Sequence, residues 1–449
     1  MPIVTTDEGR KINYKDDGEE ILNRLLALRG GSVHMELMVA PLPIFDHYKE
    51  VRGYYFSYQV GNALIESGKS FLFEGRTSSP FFEFINEVGL TALTRGKMVF
   101  VPMTNVLLAT NLEQACKVDP SFVVLLLGRK VHLSEENLRR VERLKGAGFK
   151  VAFWHFKDIN RVKPFFPYTD YVFCGNDTRE VMSTIKVIEE SRYPIKVVAS
   201  RIDTNSTFKR LTAFGVELFR GDFYKESTMV SENAPISPLK INCIRLLEQV
   251  SEDDFEYDKF AEAVQRDTAL ALKFLRMVNS STVRENKIGS LKHAAAMLGQ
   301  REIKKWVTTA VTHSMGQESP GEVVRLSLVR AKFCENLATL FGIKEDTDNL
   351  FLTGLFSVLD VILDMSMGRA LEMVFVPDEV GEALKGVDNE LGRVLQFVRS
   401  YERGDWTEVS RVALVSDIAI TDIAGAYYDA LTWYGRLVTT SMSSEGESE

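Results

Sequence analysis

Several features that define other protein classes are missing from this sequence. Its 449 residues include four cysteines, which lie far apart and form no Cys-x-x-Cys pair. This spacing excludes a disulfide framework and a thiolate zinc site, and it predicts buried, reduced thiols. No apolar run approaches the ~20 residues of a membrane span, and residues 1–20 lack the apolar core of a signal peptide. These absences predict a cytoplasmic protein.

Positive charge is also in short supply. Lys and Arg number 54 against 62 Asp and Glu, which gives a net charge of −8 and a pI near 5.6. We therefore expect neither a general nucleic-acid binder nor a protein that binds anionic membranes. Hydrophobic residues at 45% and charged residues at 26% are typical of a globular chain. The length predicts two or three domains with hydrophobic cores.

Composition changes along the chain predict four segments. Residues 1–34 are interpreted as an N-terminal extension with one short helix, because ILNRLLALRGG follows a polar stretch. Residues 35–228 form the first domain, and the polar, proline-containing run STMVSENAPISPLK marks its end. Residues 229–437 form a second, helical domain. Residues 438–449 are predicted to be a disordered tail.

In the first domain, short apolar runs of strand length alternate with helical stretches. MELMVAPLPIF and VRGYYFSYQV indicate two paired strands around an Asp46–His47 turn. Ser134 is the expected N-cap of one of the intervening helices. Further runs typical of buried strands are KMVFVPM, SFVVLLL, FKVAFWHF, TDYVFCG and IKVVASRI. Strands and helices that alternate at this spacing predict an α/β fold with a parallel sheet closed into a (β/α) barrel.

The ends of the predicted strands are poor in acids. Metal-assisted phosphodiester hydrolysis uses several carboxylate or amide oxygens that converge on Mg²⁺ or Mn²⁺, and in (β/α) barrels these lie at the C-terminal ends of strands. Here those ends read FVPM, VVLLLG, VAFWHF, YVFCGN and VVASRID. They supply one Asn, one His and one Asp, which predicts no metal site.

Between Met35 and Ser227 the order of motifs resembles an EAL domain, the barrel that hydrolyses cyclic di-GMP in EAL–HDOD signalling proteins. APLPIFD followed by VRGYYFSYQ resembles its opening, and FRGDF resembles its close with Arg220 in place of a Gln. The resemblance implies that nearly every metal-binding or catalytic position has changed, although Asp203–Thr204 persists. In chain order the changed positions are occupied by Tyr55, Gln59, Pro102, Leu126, Trp154, His155, Gly175 and Ser200.

Three residues of this domain leave alternatives open. His155 is interpreted as a hydrogen-bonded histidine at the barrel mouth, and the alternative is a metal ligand or general base. Arg201 and Arg220 are interpreted as solvated surface arginines. The alternative is that they contact a phosphate, so that cyclic di-GMP is bound without hydrolysis.

The second domain resembles an HDOD domain, a helical bundle related to HD hydrolases. AVQRDTALALKFLRMVNSS matches the opening of that domain at Asp267, Leu270 and Val278–Ser280, and IGSLKHAAAMLG matches the next segment. His293 is interpreted as a core or helix-capping histidine. The resemblance places the His-Asp dyad of active HD enzymes at Ser357 and Val358, so no metal pair is expected here either.

These observations predict that the chain is not an enzyme and needs no metal or cofactor. We expect a non-catalytic signalling scaffold or adaptor that acts through protein partners, in a pathway that the resemblance links to cyclic di-GMP. One alternative is a receptor that binds cyclic di-GMP without cutting it. Another is a residual cyclic di-GMP phosphodiesterase.

Overall fold

The computed structural model describes most of the chain. The described residues are 3–5, 11–13, 37–66, 80–88, 94, 96–128, 131–154, 159–227, 256–265, 274, 278, 290–315, 321–374 and 376–442. The predicted helix within residues 1–34 and the polar run at 228–240 lie outside them. So do His155, Cys243 and most of the HDOD opening motif.

The predicted pair of long strands is confirmed, and Asp46 forms its turn. Strands β3 (Leu37–Asp46) and β4 (Val51–Val60) are antiparallel. The Asp46 carboxylate accepts hydrogen bonds from the backbone N–H groups of Tyr48 at 2.8 Å and Glu50 at 3.0 Å, and from Arg52 Nε at 2.7 Å. An aspartate that binds the backbone two residues on closes a turn in this way.

Ten strands occur in the described residues, and eight of them close a barrel. Residues Ile3–Thr5 (β1) and Lys11–Asn13 (β2) form a separate antiparallel pair. The barrel order is β10-β3-β4-β5-β6-β7-β8-β9, and within it β3 alone runs antiparallel to its neighbours. The remaining barrel strands are β5 (Met98–Met103), β6 (Val123–Leu127), β7 (Lys150–Trp154), β8 (Tyr171–Cys174), β9 (Lys196–Ser200) and β10 (Leu218–Arg220).

Helices connect the barrel strands, and the sequence marks where they start. Ser134 is the N-cap of one helix, as predicted, and accepts a hydrogen bond from the N–H of Asn137. Asp177 and Thr204 cap two others in the same way. The helices are α1 (Ala63–Glu66), α2 (Pro80–Val88), α3 (Asn105–Ala109), α4 (Leu112–Ala115), α5 (Glu135–Gly146), α6 (Thr178–Ser191) and α7 (Asn205–Ala213), with 3₁₀ turns at Pro120–Phe122, Ile159–Tyr168 and Phe223–Lys225.

The remaining helices follow the barrel in the chain. Gly299 separates the second from the third, and the break at Ser357 and Val358 separates two later ones. They are α8 (Tyr257–Gln265), α9 (Leu291–Leu298), α10 (Gln300–Met315), α11 (Gly321–Leu337), α12 (Thr347–Phe356), α13 (Leu359–Leu363), α14 (Met367–Glu372), α15 (Asp378–Lys385), α16 (Glu390–Glu402), α17 (Trp406–Val415) and α18 (Ile420–Met442).

Backbone contacts divide the chain into two compact units. The barrel unit comprises Asn23–Glu226 and Phe397–Tyr428. The helical unit comprises Met1–Leu22, Ser227–Gln396 and Asp429–Glu449. The predicted fold class, an α/β barrel followed by a helical bundle, is confirmed. The predicted linear boundaries stay predictions, and helix α18 continues to Met442, within the segment predicted to be a tail.

Within the barrel unit, the segment Phe397–Tyr428 packs on the β3–β4 hairpin. The Tyr401 side chain is fully buried, and its hydroxyl accepts a hydrogen bond from Val39 N–H at 3.4 Å. The Tyr428 hydroxyl donates to the carbonyl oxygen of Leu37, and Trp406 Nε1 donates to Ser57 Oγ at 3.0 Å. The charged composition of the run SYERGD (400–405) predicts a solvated face. This prediction is wrong at Tyr401, because this tyrosine belongs to the barrel core.

The helical unit is built around close contact between α11 and α12. Gly354 allows it, since a Cβ there would lie 2.6 Å from the Ala331 Cα. Ser327 Oγ donates to the Leu355 carbonyl at 2.6 Å across the same contact. His293 is expected to be a core or helix-capping histidine, and the core alternative is wrong. Its side chain is exposed in the first turn of α9, and its backbone N–H donates to the side chain of the N-cap Ser290.

We predict that Gly404→Ala destabilises the barrel unit more than Gly215→Ala. Both glycines have positive φ, 68° and 85°, so alanine is strained at either by about 1 kcal/mol. An alanine Cβ at 404 would also lie 2.5 Å from Ser57 Oγ, whereas nothing lies within 4 Å at 215. This overlap should cost about 2 kcal/mol more. Urea unfolding of both variants measures the difference, and equal losses would contradict the packing of Gly404 on Ser57.

A second prediction concerns the pH dependence of Asp46. Burial opposes its ionisation, but hydrogen bonds from Glu50, Arg52 and Tyr48 outweigh burial and hold the pKa of Asp46 below its ordinary value. A carboxyl with a lowered pKa stabilises the fold above the unfolded-state pKa, and this stability is lost as pH falls through the folded-state pKa. Asp46→Asn should therefore cost stability at pH 7 and progressively less below about pH 4.

The loss at pH 7 should stay below about 1 kcal/mol, because Arg52 is 42% exposed. Thermal unfolding between pH 3 and pH 7 measures it. Glu50→Gln is the control, because it removes the other carboxylate near Arg52. The Glu50 side chain is 67% exposed, and its Oε2 lies 3.2 Å from Arg52 Nη2. A difference between the wild type and Asp46→Asn that does not change with pH would refute the role given to the ionised carboxylate.

Candidate functional site

The C-terminal ends of the parallel strands surround the candidate site. Side chains alternate along a strand, and residues paired in register face the same side of the sheet. Leu126 is part of the barrel's buried core, and Pro102 is paired with it in register. Ser200 is paired with Arg220, so these two face the barrel interior together. The sequence-predicted positions on the described strands are thus brought to one end of the barrel.

Three aromatic rings and one guanidinium occupy the centre of this end. We call Tyr55, Trp154, Phe173 and Arg220 the mouth cluster. The Arg220 guanidinium lies 4.4 Å from the centre of the Tyr55 ring and 5.4 Å from that of Trp154. Trp154 stacks on Phe173 with centroids 5.2 Å apart, and Tyr55 lies 5.7 Å from Trp154. A cation on aromatic faces is attracted by their quadrupoles.

Arg220 is not the solvated surface arginine that its sequence context predicted. Its Nε atom is inaccessible to solvent and has no hydrogen-bond partner among the described residues. Burial lowers the pKa of Arg220 from its ordinary value. Burial also raises the pKa of Tyr55, while the positive charge of Arg220 opposes that rise. Arg201, by contrast, is exposed as predicted.

The other sequence-predicted positions supply apolar or neutral groups. Leu126 is 2% exposed, and Ser200 is 2% exposed with a hydroxyl that has no hydrogen-bond partner in the described part of the chain. The Gln59 side chain donates to the Val60 carbonyl at 2.9 Å. Gly175 lies near Glu180, whose Oε2 would be 3.5 Å from a Cβ at that glycine. His155 lies outside the described residues.

The divalent metal that the resemblance implies does not fit the residues of this end. The described residues contain no group of three His, Cys, Asp or Glu side chains able to hold a metal ion. A guanidinium in the mouth cluster would also repel a dication, since like charges in a partly buried site interact strongly. The arrangement offers instead a cation held against two aromatic rings.

The HD dyad positions are structural in the helical unit. Ser357 Oγ accepts a hydrogen bond from Arg330 Nη1 at 2.6 Å and donates to the Gly354 carbonyl at 2.5 Å. Val358 is 3% exposed and precedes α13. Arg330 is itself 2% exposed. A buried arginine therefore contacts Ser357, one of the two positions that the resemblance assigns to the HD dyad.

Sequence reasoning missed two parts of the site. The three-residue strand β10 is too short to give a periodic signal, so the inward direction of Arg220 was not predicted. The Trp406–Ser57 contact was missed because its two residues lie far apart in the sequence. The inward direction of Arg220 could have been inferred from its neighbour Phe219. Phe219 is fully buried, and adjacent side chains on a strand point to opposite faces of the sheet.

Comparisons with known proteins assign the architecture. A model of the HDOD domain matches residues 236–376. The chain has the EAL–HDOD architecture. YuxH of Bacillus subtilis, an uncharacterized protein, is 27% identical over 415 residues, which cover 90% of this chain and 99% of YuxH. Cyclic di-GMP phosphodiesterase CdgJ of Vibrio cholerae is 28% identical over 306 residues, which cover 67% of this chain and 70% of CdgJ.

Solved structures of EAL proteins also align with this EAL–HDOD chain. An EAL domain protein from Listeria monocytogenes is 14% identical with a TM-score of 0.35, and the alignment covers 46% of this chain and 91% of that protein. A standalone EAL protein from Vibrio cholerae is 16% identical with a TM-score of 0.34, and the alignment covers 41% of this chain and 89% of that protein. Scores of this size do not by themselves establish a common fold.

No helix in the described part of the chain is both long and apolar enough to cross a membrane.

We predict that Ser357→Ala destabilises the helical unit more than Ser327→Ala. Ser357 accepts a hydrogen bond from a buried charged group, whereas Ser327 bonds only a neutral carbonyl across the same helix contact. Loss of the charge-assisted bond should cost about 2 kcal/mol and loss of the neutral one about 1 kcal/mol. Chemical unfolding of the two variants measures both values. A smaller loss for Ser357→Ala would contradict the importance of the Arg330 contact.

Proposed function

We propose that this EAL–HDOD protein is a non-catalytic signalling scaffold that acts through protein contacts, in a pathway linked to cyclic di-GMP. The mouth cluster is the observation that carries the proposal. Where metal-dependent hydrolysis needs carboxylates around a dication, this barrel has Tyr55 and Trp154 around Arg220. The HDOD domain contributes no dyad, since its two positions are Ser357 and Val358.

The chemistry of the substitutions supports the proposal more strongly than their number. A missing ligand can be replaced by a neighbouring oxygen or by water. The Arg220 guanidinium, held against two aromatic rings, places positive charge where Mg²⁺ or Mn²⁺ would sit. Ligands that act as a unit also fail as a unit, so one retained acid does not restore turnover.

A second candidate function is a receptor that binds cyclic di-GMP without hydrolysis. The unpaired charge of Arg220 favours it, because guanidinium groups bind phosphate oxygens. The relative CdgJ is named a cyclic di-GMP phosphodiesterase, which supports this nucleotide as the ligand. The proposal of a scaffold and that of a receptor differ in whether the purified chain binds the nucleotide.

We predict that the full chain does not convert cyclic di-GMP into the linear dinucleotide with Mg²⁺ or Mn²⁺, because no metal-held water is available to attack the phosphodiester. Product above a heat-denatured control would reject the scaffold proposal. Calorimetry with cyclic di-GMP, in EDTA and in Mg²⁺, tests the receptor: no heat under either condition removes it. Saturable heat that Arg220→Met abolishes would establish it.

Affinity capture from the native lysate then locates the partner surface. The full chain is compared with a chain in which residues 229–396 are replaced by a flexible linker, which retains the segment Phe397–Tyr428 of the barrel unit. Partners lost with residues 229–396 bind the HDOD part, and partners retained bind the barrel unit. A chain that captures no protein in either form contradicts a scaffold role.

A further inference from the structure

The guanidinium of Arg220 lacks an acceptor for its hydrogen bonds. Within the described residues, no carboxylate, carbonyl or hydroxyl accepts a hydrogen bond from this side chain, whose contacts are the two ring faces. The side chain is partly buried, and its Nε is inaccessible. A partly buried charge is ordinarily paired, because losing hydration without gaining hydrogen bonds costs free energy.

The geometry of this contact leaves one direction open. The two ring centres lie 5.7 Å apart on the same side of the guanidinium, whose N–H donors lie in its own plane. The Nε end is enclosed, so the Nη groups form the free edge. That edge matches the spacing of two oxygens of one oxyanion.

The backbone around Arg220 is fixed before any ligand arrives. Ile202 N–H donates to the Arg220 carbonyl at 3.1 Å, and Phe223 N–H donates to the Ile202 carbonyl at 2.9 Å. Gly221 has φ 154°, and a Cβ there would lie 2.2 Å from the Ile202 carbonyl oxygen. These contacts fix the backbone from Arg220 to Phe223. A fixed backbone reduces the conformational entropy lost when the Arg220 side chain binds a partner.

Within the described part of the chain, the charges near Arg220 leave about one positive charge unbalanced. Four charged groups there affect Arg220 or lie beside it: Arg201, Asp203, Asp222 and Lys225. Asp222 is paired with Lys225 at 2.7 Å. Arg201 and Asp203 are both exposed and opposite in sign. One remaining positive charge matches a monoanionic carboxylate better than a phosphate dianion, and the chain's net charge of −8 disfavours the approach of polyanions.

We propose that Arg220, held against the rings of Tyr55 and Trp154, is a docking position for a single carboxylate side chain, Asp or Glu, of a protein partner. The rings shield the ion pair from water, which strengthens it. The inference rests on the proposed scaffold function and adds to it the chemistry of the contact: an acidic side chain inserted at the barrel mouth.

The test uses the full chain labelled with ¹⁵N and follows the arginine Nε–H signals by NMR. The Arg220 signal is the one missing from Arg220→Lys. The probe is a capped Gly-Glu-Gly peptide, and capped Gly-Gln-Gly is its neutral match. We expect the Glu peptide to shift the Arg220 signal saturably and the Gln peptide to leave it unchanged, because only the carboxylate pairs with the charge.

Variants separate this site from other arginines. A fluorescent derivative of the Glu peptide should bind Arg220→Lys about tenfold more weakly than the wild type, because lysine retains the charge but loses the planar bidentate edge. Arg201→Lys, the same substitution at the exposed neighbour, should bind as the wild type does. Thermal unfolding of each variant checks that it is folded. If Arg220→Met does not fold, binding is compared between the wild type and Arg220→Lys.

Two results would overturn the inference. An Arg220 signal that neither peptide shifts would make the side chain a purely structural part of the barrel. A signal that inorganic phosphate shifts and the Glu peptide does not would assign the position to a phosphate ligand. Neither result affects the scaffold proposal, which fails on hydrolysis of cyclic di-GMP or on the absence of captured partners.

Discussion

The contact between Arg220 and the rings of Tyr55 and Trp154 determines what this barrel can do. It joins three strands, β4, β7 and β10, at the end where (β/α) barrels carry their functional groups. An active metal site needs anionic groups that attract a cation from solution. Here the cation is part of the chain and the surrounding groups are apolar rings, so the electrostatic character of the site is reversed.

Much of the fold was predictable because it depends on local patterns. The seven predicted strand runs and the Asp46 turn follow from alternation and from a side chain that binds nearby backbone. The Ser134 cap follows from a hydroxyl placed before a helix. The resemblance of ordered motifs then gave the architecture, because a succession of weak signals is more specific than any of them alone.

The arrangement of the site was less predictable because it depends on contacts between distant parts of the chain. That Tyr55 and Trp154 replace acids is visible in the sequence. That Arg220 lies on both rings is not, since β10 has three residues and no periodicity. Likewise, SYERGD reads as polar, yet Tyr401 has no exposed surface, because its ring and hydroxyl meet β3 and the Trp406 ring. Tertiary packing overrides composition at such positions.

The segment Phe397–Tyr428 belongs to the barrel unit although it lies far along the chain from the barrel strands. The chain leaves the barrel unit after Glu226 and returns to it at Phe397, so residues close to the C-terminus complete the surface of β3 and β4. Tyr401 and Tyr428 satisfy backbone groups of β3. Buried polar backbone without partners is costly. A barrel cut at the predicted boundary would lose these partners, and any loss of binding in such a fragment would report damage to the barrel as well as removal of the HDOD domain.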